Sequence, residues 1–266
     1  MKTEEKILGD RNQVNFVKPT SIVRQIWGKG DTILFIFAGA AAEFALNKAV
    51  DWLYFTGKLP ADPLGRLFST VSYARQIVFA DETSALKAID AINAIHANIE
   101  DARRQKIPDW AYRDVLFMLI DYSIRAFETM ERQLNISEKE EVFDVFNRVG
   151  KRMRITGLPD NYSEWTQMRK GHLQHDLKYS DFTKDLYLQY RRHLGAVRYF
   201  LLLETQNLIC PEEVRTFLGF STRSALNPLL WIYKLCRYVG LDKVLKAIIL
   251  PKKYKKEIRS LDVFTG

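Results

Sequence analysis

The stretch DPLGRLFSTVSYARQIVFADETSALKAIDAINAIHANI, residues 62–99, predicts two consecutive helices and contains the main candidate functional residues. Asp62 and Pro63 favour a helix start, because aspartate caps a first turn and proline suits its first position. Apolar residues then recur at helical spacing, and a second helix is predicted from about Ser84 to Arg104. His96 lies within the apolar stripe of that second helix.

The composition of the whole chain favours a single all-α domain. Of the 266 residues, 47% are hydrophobic, which is enough for a sizeable core. The 13 Gly and 8 Pro suit long helices better than a turn-rich β protein. No alternating β pattern, fixed-period repeat or low-complexity linker divides the chain. We therefore predict one domain over residues 1–266, with residues 1–17 as a loosely attached arm.

The same periodicity predicts the other helices. A long helix should follow Asp31 and continue to Phe55, and Ser137 with Glu140 should form the capping box of a helix that ends near Arg154. The breaks between helices are short. Later helices are expected at about residues 163–177, 181–205, 211–218 and 241–249, with Pro228 near a further helix start.

Charge and cysteine content narrow the functional classes. The net charge of +8 is spread along the chain, and no nucleic-acid-binding module accompanies it, so nucleic acid is not an expected partner. Cys210 and Cys236 fit the reduced thiols of a cytoplasmic protein. The most apolar run, residues 33–42, is too short to span a bilayer. The basic C-terminal run PKKYKKEIR could still contact anionic lipid peripherally.

Three side chains of the opening stretch form the candidate site. His96 is either a core histidine bonded to its neighbours or a haem ligand, because neutral imidazole binds iron well. No HExxH motif or carboxylate–histidine pair accompanies it, so a zinc or di-iron site is poorly supported. Arg66 lies one turn before Thr70. It could pair with an acid or, with the Thr70 hydroxyl beside it, bind a cofactor carboxylate.

The remaining histidines are weaker candidates. His172 and His175, in GHLQHDL, share a helix face and could bind metal, but their polar flanks predict a solvated pair. His193 lies near aromatic residues and is expected to be structural. Glu43 and Asp51 interrupt an apolar helix, and they are the only candidates that the sequence offers for a catalytic base.

With these residues in view, the chain resembles the latex-clearing protein (rubber oxygenase) and mycophenolate-pathway oxygenase family. The shared pattern is an Asp-Pro-x-Gly-Arg-x-x-x-Thr helix, an apolar Val-Phe segment and an Ile-His pair. Here these are residues 62–70, Val78-Phe79 and Ile95-His96. VRQIWG, Gly-Leu-Pro and CPEEVRTFLGF also resemble family features and extend the similarity over roughly residues 20–250.

The resemblance implies an all-α fold with a globin-like core around haem b. It also implies an oxygenase that cleaves carbon–carbon double bonds with dioxygen. By motif position, His96 would be the axial iron ligand, and Arg66 and Thr70 would belong to the haem-pocket helix. Two features depart from the family. Ser69 replaces the lysine that precedes the motif threonine in rubber-cleaving members, and AEFALNKAVDW lacks the family's Gln and His-Pro. Rubber itself is therefore not the predicted substrate.

Three functional hypotheses follow. In the first, which the sequence favours, the protein is an oxidoreductase that uses haem b, dioxygen and an apolar, unsaturated small molecule, and Arg66 neutralises a haem propionate. In the second, it is a non-catalytic haem- or lipid-binding helical protein. In the third, His96 only packs in the core of a helical interaction protein. The oligomeric state stays open.

Overall fold

The protein was analysed as a computed structural model, which describes residues 14–55, 57 and 61–221. The side chains of residues 53, 63, 64 and 66–68 lie outside this description. Over the described residues the chain is helical and has no strand, only two isolated β-bridges, Asn15–Asp81 and Asn47–Leu177. The prediction of an all-α fold is confirmed. The predictions for Pro228, the helix at 241–249 and the basic C-terminal run fall outside the described residues.

The helices are numbered here in chain order. They are α1 (Ile22–Trp27), α2 (Gly30–Leu46), α3 (Asp51–Phe55), α4 (Pro63–Phe79), α5 (Glu82–Arg103), α6 (Asp109–Met130), α7 (Ile136–Arg152), α8 (Tyr162–His175), α9 (Asp181–Ile209) and α10 (Glu212–Leu218). No described helix combines the length and the apolar character that crossing a bilayer requires.

The centre of the core is the packing of α2 against α6 and α9. Gly39 makes the first of these contacts possible, because a Cβ atom at this position would clash with the ring of Tyr122 on α6. Interiors are packed as densely as organic crystals, so such an overlap cannot be absorbed. Gly39 therefore allows α6 to pack closely against α2.

Local capping sets the two helices of the opening stretch. The side chain of Asp62 accepts a hydrogen bond from the Gly65 amide at 3.0 Å, as predicted for the start of α4. Asp81 caps α5 in the same way through the Ser84 amide at 2.9 Å. The helix therefore begins at Glu82, two residues before the predicted start.

The long helix predicted to reach Phe55 instead ends at Leu46. Asn47 leaves the helical conformation, and its side-chain oxygen accepts a hydrogen bond from the Ala49 amide at 2.8 Å. The backbone amide of Lys178 donates a hydrogen bond to the Leu46 carbonyl at 2.7 Å. Because Asn side chains compete with helical backbone hydrogen bonds, this pair of contacts stops the helix and starts a turn.

Two other predictions at helix ends need correction. The capping box of α7 is formed by Asn135 and Glu138, not by Ser137 and Glu140. Asn135 begins the helix two residues earlier because its amide oxygen accepts from the Glu138 amide. The helix predicted at 181–205 continues to Ile209 but bends sharply at Gly195.

Candidate functional site

A cavity of about 330 Å³ lies among α2, α4, α5, α6, α7 and α9. Its walls are mainly apolar, and polar groups contribute little of the lining. Ligand pockets in proteins typically span roughly 300–1,000 Å³ and are lined in this way. The cavity is therefore suited to an apolar ligand. The residues of most consequence on its wall are Phe44, Asn47, Trp52, Thr70, His96 and Tyr112.

His96 reaches this wall from α5, together with the isoleucines of its own helix face. Its ring packs edge-on against the ring of Tyr112, with centroids 5.2 Å apart. The Tyr112 hydroxyl donates a hydrogen bond to Glu100 at 3.3 Å. Burial and the charge of Glu100 raise the pKa of Tyr112 far above its usual value, so the phenol stays protonated. His96 was predicted to face the core, and in the structure it faces the cavity.

Thr70 reaches the same cavity from α4. Tyr73, Ala74 and Ile77 line it too, which is the spacing of one helix face. Arg66 lies one turn before Thr70 on α4, but its side chain is outside the described residues. The structure thus brings Thr70 and His96 to one cavity. Their roles as cofactor-binding residues stay predictions.

Asp51, one of the two candidate bases, lies beside the cavity on the short helix α3. Its Oδ2 accepts a hydrogen bond from Arg103 Nη2 at 2.6 Å. The Arg103 guanidinium stacks over Trp52, 4.0 Å from the ring centroid, and Trp52 lines the cavity. The carboxylate is partly exposed and close to a cavity wall, so it remains a candidate.

Glu43, the other candidate base, is fully buried and belongs to a different arrangement. Arg169 on α8 binds both of its oxygens, with Nη2 2.6 Å from Oε2. The Tyr122 hydroxyl donates to Oε2 at 2.9 Å, and His172 Nε2 lies 3.0 Å from Oε1. Burial acts to raise the pKa of Glu43, but Arg169 and His172 outweigh it and lower the pKa to about 2. Glu43 therefore stays ionised and does not line the cavity.

His172 is the second centre of this arrangement. Its Nδ1 hydrogen-bonds to Asp114 Oδ1 and lies 3.3 Å from Asp176 Oδ2. Burial opposes protonation, but Asp114 and Glu43 together raise the pKa of His172 to about 9. The imidazole is thus a cation held between carboxylates. We call Glu43, Asp114, Asp121, Arg169, His172 and Asp176 the buried charge network.

The prediction that His172 and His175 form a solvated pair is wrong for His172, which is 4% exposed. The polar flanks suggested solvent, but the buried partners of His172 are Glu43 and Asp114, which lie on other helices. His175 is exposed, and its Nδ1 contacts the Gly171 carbonyl at 2.8 Å. His193, expected to be structural, is exposed on α9.

The network also holds the set of potential metal ligands found among the described residues. Asp114, His172 and Asp176 each offer one ligand atom, and these atoms lie within 4.8 Å of one another. With His172 protonated, the same three side chains form ion pairs with one another. The geometry is therefore that of a buried ion-pair cluster.

A family model described as "ER-bound oxygenase mpaB/B'/Rubber oxygenase, catalytic domain" matches residues 25–240. The chain belongs to this family. Its membership confirms the resemblance drawn from residues 62–99 and supports an oxygenase-like role. No match was found among curated proteins or among solved structures.

In this member of the mpaB and rubber oxygenase family, the sequence indicated the cavity residues better than the charge network. The motif helix and the Ile-His pair led to Thr70 and His96. The network could have been sought from the charges that interrupt the apolar stretches of α2 and α6. Asn47 connects the two regions, because it lines the cavity and its Nδ2 donates to Asp114 Oδ2 at 2.9 Å.

Proposed function

We propose that this protein is a haem-b-dependent oxygenase that acts on an apolar, unsaturated small molecule. The observation that carries the proposal is the position of His96 on the wall of an apolar cavity, in a chain that belongs to an oxygenase family. The proposal includes a single catalytic domain with a globin-like core and a cytoplasmic location.

The residues around the cavity fit the group that the family resemblance implies. An imidazole on an apolar wall is the donor that haem iron takes, and the largely apolar lining suits a flat, greasy ring. We assign His96 as the residue that would bind the haem iron. Arg66, one turn before Thr70, would neutralise a propionate, and the Thr70 hydroxyl would add a donor nearby. Bound haem would supply the activation of dioxygen.

The other residues would bind the substrate and exclude water. The isoleucines of α5 and the aromatic rings of Phe44 and Trp52 offer an apolar surface to an unsaturated chain. Asp51 is the better placed of the two candidate bases, since its carboxylate lies beside Trp52 and is held by Arg103. Glu43 is not a candidate, because it is fully buried, is paired with Arg169 and His172 and does not line the cavity.

The first test is the absorption spectrum of protein purified from haem-replete cells. We expect a Soret band that is lost in His96→Ala and retained in His175→Ala, the matched exposed histidine. A colourless, folded protein that also fails to take up added haemin would exclude haem binding. A Soret band unchanged in His96→Ala would exclude the assigned ligand.

The second test separates an oxygenase from a non-catalytic haem or lipid carrier. The apolar cavity would serve either function, because polar groups contribute little of its lining. Oxygen consumption should be measured with isoprenoid and polyunsaturated substrates, with product analysis by mass spectrometry. Consumption that needs both the substrate and His96 supports the oxygenase. Haem binding without consumption favours the carrier.

A further inference from the structure

Helix α9 contains a sharp bend that the cavity does not explain. Gly195 has φ 73° and ψ 171°, a conformation that residues other than glycine rarely adopt. No heavy atom lies within 4 Å of the position that a Cβ would take there. The bend therefore stands at the surface in open space. We call residues 188–200, which surround it, the elbow.

Large apolar side chains project from both sides of the elbow. Leu188 is 53% exposed, Val197 is 74% exposed and Phe200 is 51% exposed. Single exposed apolar residues are common, but these three all occur within residues 188–200, on the two sides of one bend. Such patches mark surfaces that another molecule covers. The elbow is thus an interaction surface.

The charged side chains between Leu188 and Val197 are two arginines. Arg191 and Arg192 are exposed, and neither forms an ion pair within the described part of the chain. They follow Leu188 by three and four positions, which places them on its helix face. Burial raises the pKa of Tyr199, and the charge of Arg191 opposes that rise, so Arg191 lies near the second limb of the bend.

We propose that the elbow is a docking site for the surface of an anionic lipid membrane. Leu188, Val197 and Phe200 would enter the acyl region, while Arg191 and Arg192 would bind the phosphate and carboxylate groups of lipids. Apolar side chains combined with arginines are the composition of interfacial helices. The charge complementarity favours an anionic bilayer over a neutral apolar partner.

The place of the elbow in the fold agrees with this role. Tyr190, in the first limb, lines the cavity, so the cavity wall and the membrane-facing residues belong to one helix. Apolar ligands partition into membranes, and a docked protein would be next to its ligand supply. The proposal does not depend on haem or on the oxygenase reaction.

The test is co-sedimentation of the full-length chain with phosphatidylcholine vesicles, with and without phosphatidylserine. We expect binding only with phosphatidylserine, and binding that weakens as salt is added. The double variants Val197→Glu/Phe200→Glu and Arg191→Gln/Arg192→Gln should each reduce binding roughly tenfold or more. Ile136→Glu is the matched control, because Ile136 is 62% exposed and belongs to a different helix, α7. It should bind as the wild type does.

Other occupants of the elbow would give different results. If residues 222–266 cover the patch, Val197→Glu/Phe200→Glu will lower the melting temperature and leave vesicle binding unchanged. If a second copy covers it, light scattering will show an oligomer that the same variant dissociates, again without a change in vesicle binding. Unchanged binding in both double variants would assign lipid contact to other residues. Each of these results overturns the proposal.

Discussion

His96 and His172 are two histidines on inward-facing helix positions, and their surroundings differ completely. His96 lies among isoleucines and the ring of Tyr112 on a cavity wall. His172 lies between carboxylates that engage both of its ring nitrogens. An imidazole held in that way is a cation with no lone pair for iron. An inward-facing position therefore does not decide the role of a histidine, and the charges that pack against it do.

The largest effect should come from removing the cation at the centre of the buried charge network. Arg169→Met removes the buried cation that binds both Glu43 and Asp121, and we expect a loss of about 3–5 kcal/mol in the free energy of unfolding. Urea denaturation measures it. Arg125→Met is the control, because this partly exposed arginine binds the same Asp121. Equal losses in both variants would contradict a buried centre.

The protonation of His172 should make stability fall at alkaline pH. Its pKa is raised from 6.5 to about 9 in the folded state, which corresponds to about 3 kcal/mol of stability. This contribution is fully present below about pH 6.5 and is lost as the pH rises through about 9. The free energy of unfolding, measured from pH 6 to about pH 9, should fall more steeply in the wild type than in His172→Gln. Parallel curves would mean that His172 is neutral in the fold.

The contact between α2 and α6 supports both the cavity and the buried charge network. We expect it to tolerate no added atom. Gly39→Ala places a methyl group against the Tyr122 ring, and overpacking of this kind costs about 1–3 kcal/mol. Gly171→Ala is the matched control on α8, where a Cβ meets nothing within 4 Å. It should be neutral or slightly stabilising, by at most about 1 kcal/mol. Thermal unfolding compares the two, and a similar melting temperature for both would contradict the close packing.

The smallest effects on stability should belong to the histidines outside the network. His96→Ala removes a partly buried ring from a cavity wall, and we expect a loss of about 1 kcal/mol. His175→Ala changes an exposed side chain and should stay within about 0.5 kcal/mol of the wild type. The same urea titrations measure both variants. A loss for His96→Ala as large as that for Arg169→Met would show that His96 is structural and would favour the third hypothesis.

The sequence was enough to predict the features that depend on contacts within a few residues. Helical periodicity and the Asp62 cap predicted α4 and α5, and the motif within them led to the family and to the cavity residues Thr70 and His96. These signals lie within a few residues of the positions that they describe, and so they can be read without knowing the tertiary structure.

The network could not be predicted because its pairs are distant in sequence. Arg169 binds Glu43 from 126 positions away, and the buried partners of His172, Glu43 and Asp114, also lie far from it in sequence. The end of α2 was misplaced for the same reason. Leu46 is the last residue of that helix, since its carbonyl accepts a hydrogen bond from the amide of Lys178. Lys178 lies much later in the chain. Such contacts follow from the fold and leave no periodic signal.

Asn47 has a consequence for anyone who wishes to reshape the cavity. Because this residue is part of the cavity wall and also binds Asp114, the two regions share a side chain. Substitutions near it should be epistatic with substitutions in the network, since free-energy changes add only when sites share no partners. The α4 and α5 side of the cavity has no such shared residue among its described contacts. Mutational libraries that vary Tyr73 or Ile92 should therefore behave additively, whereas libraries that vary Phe44 should not.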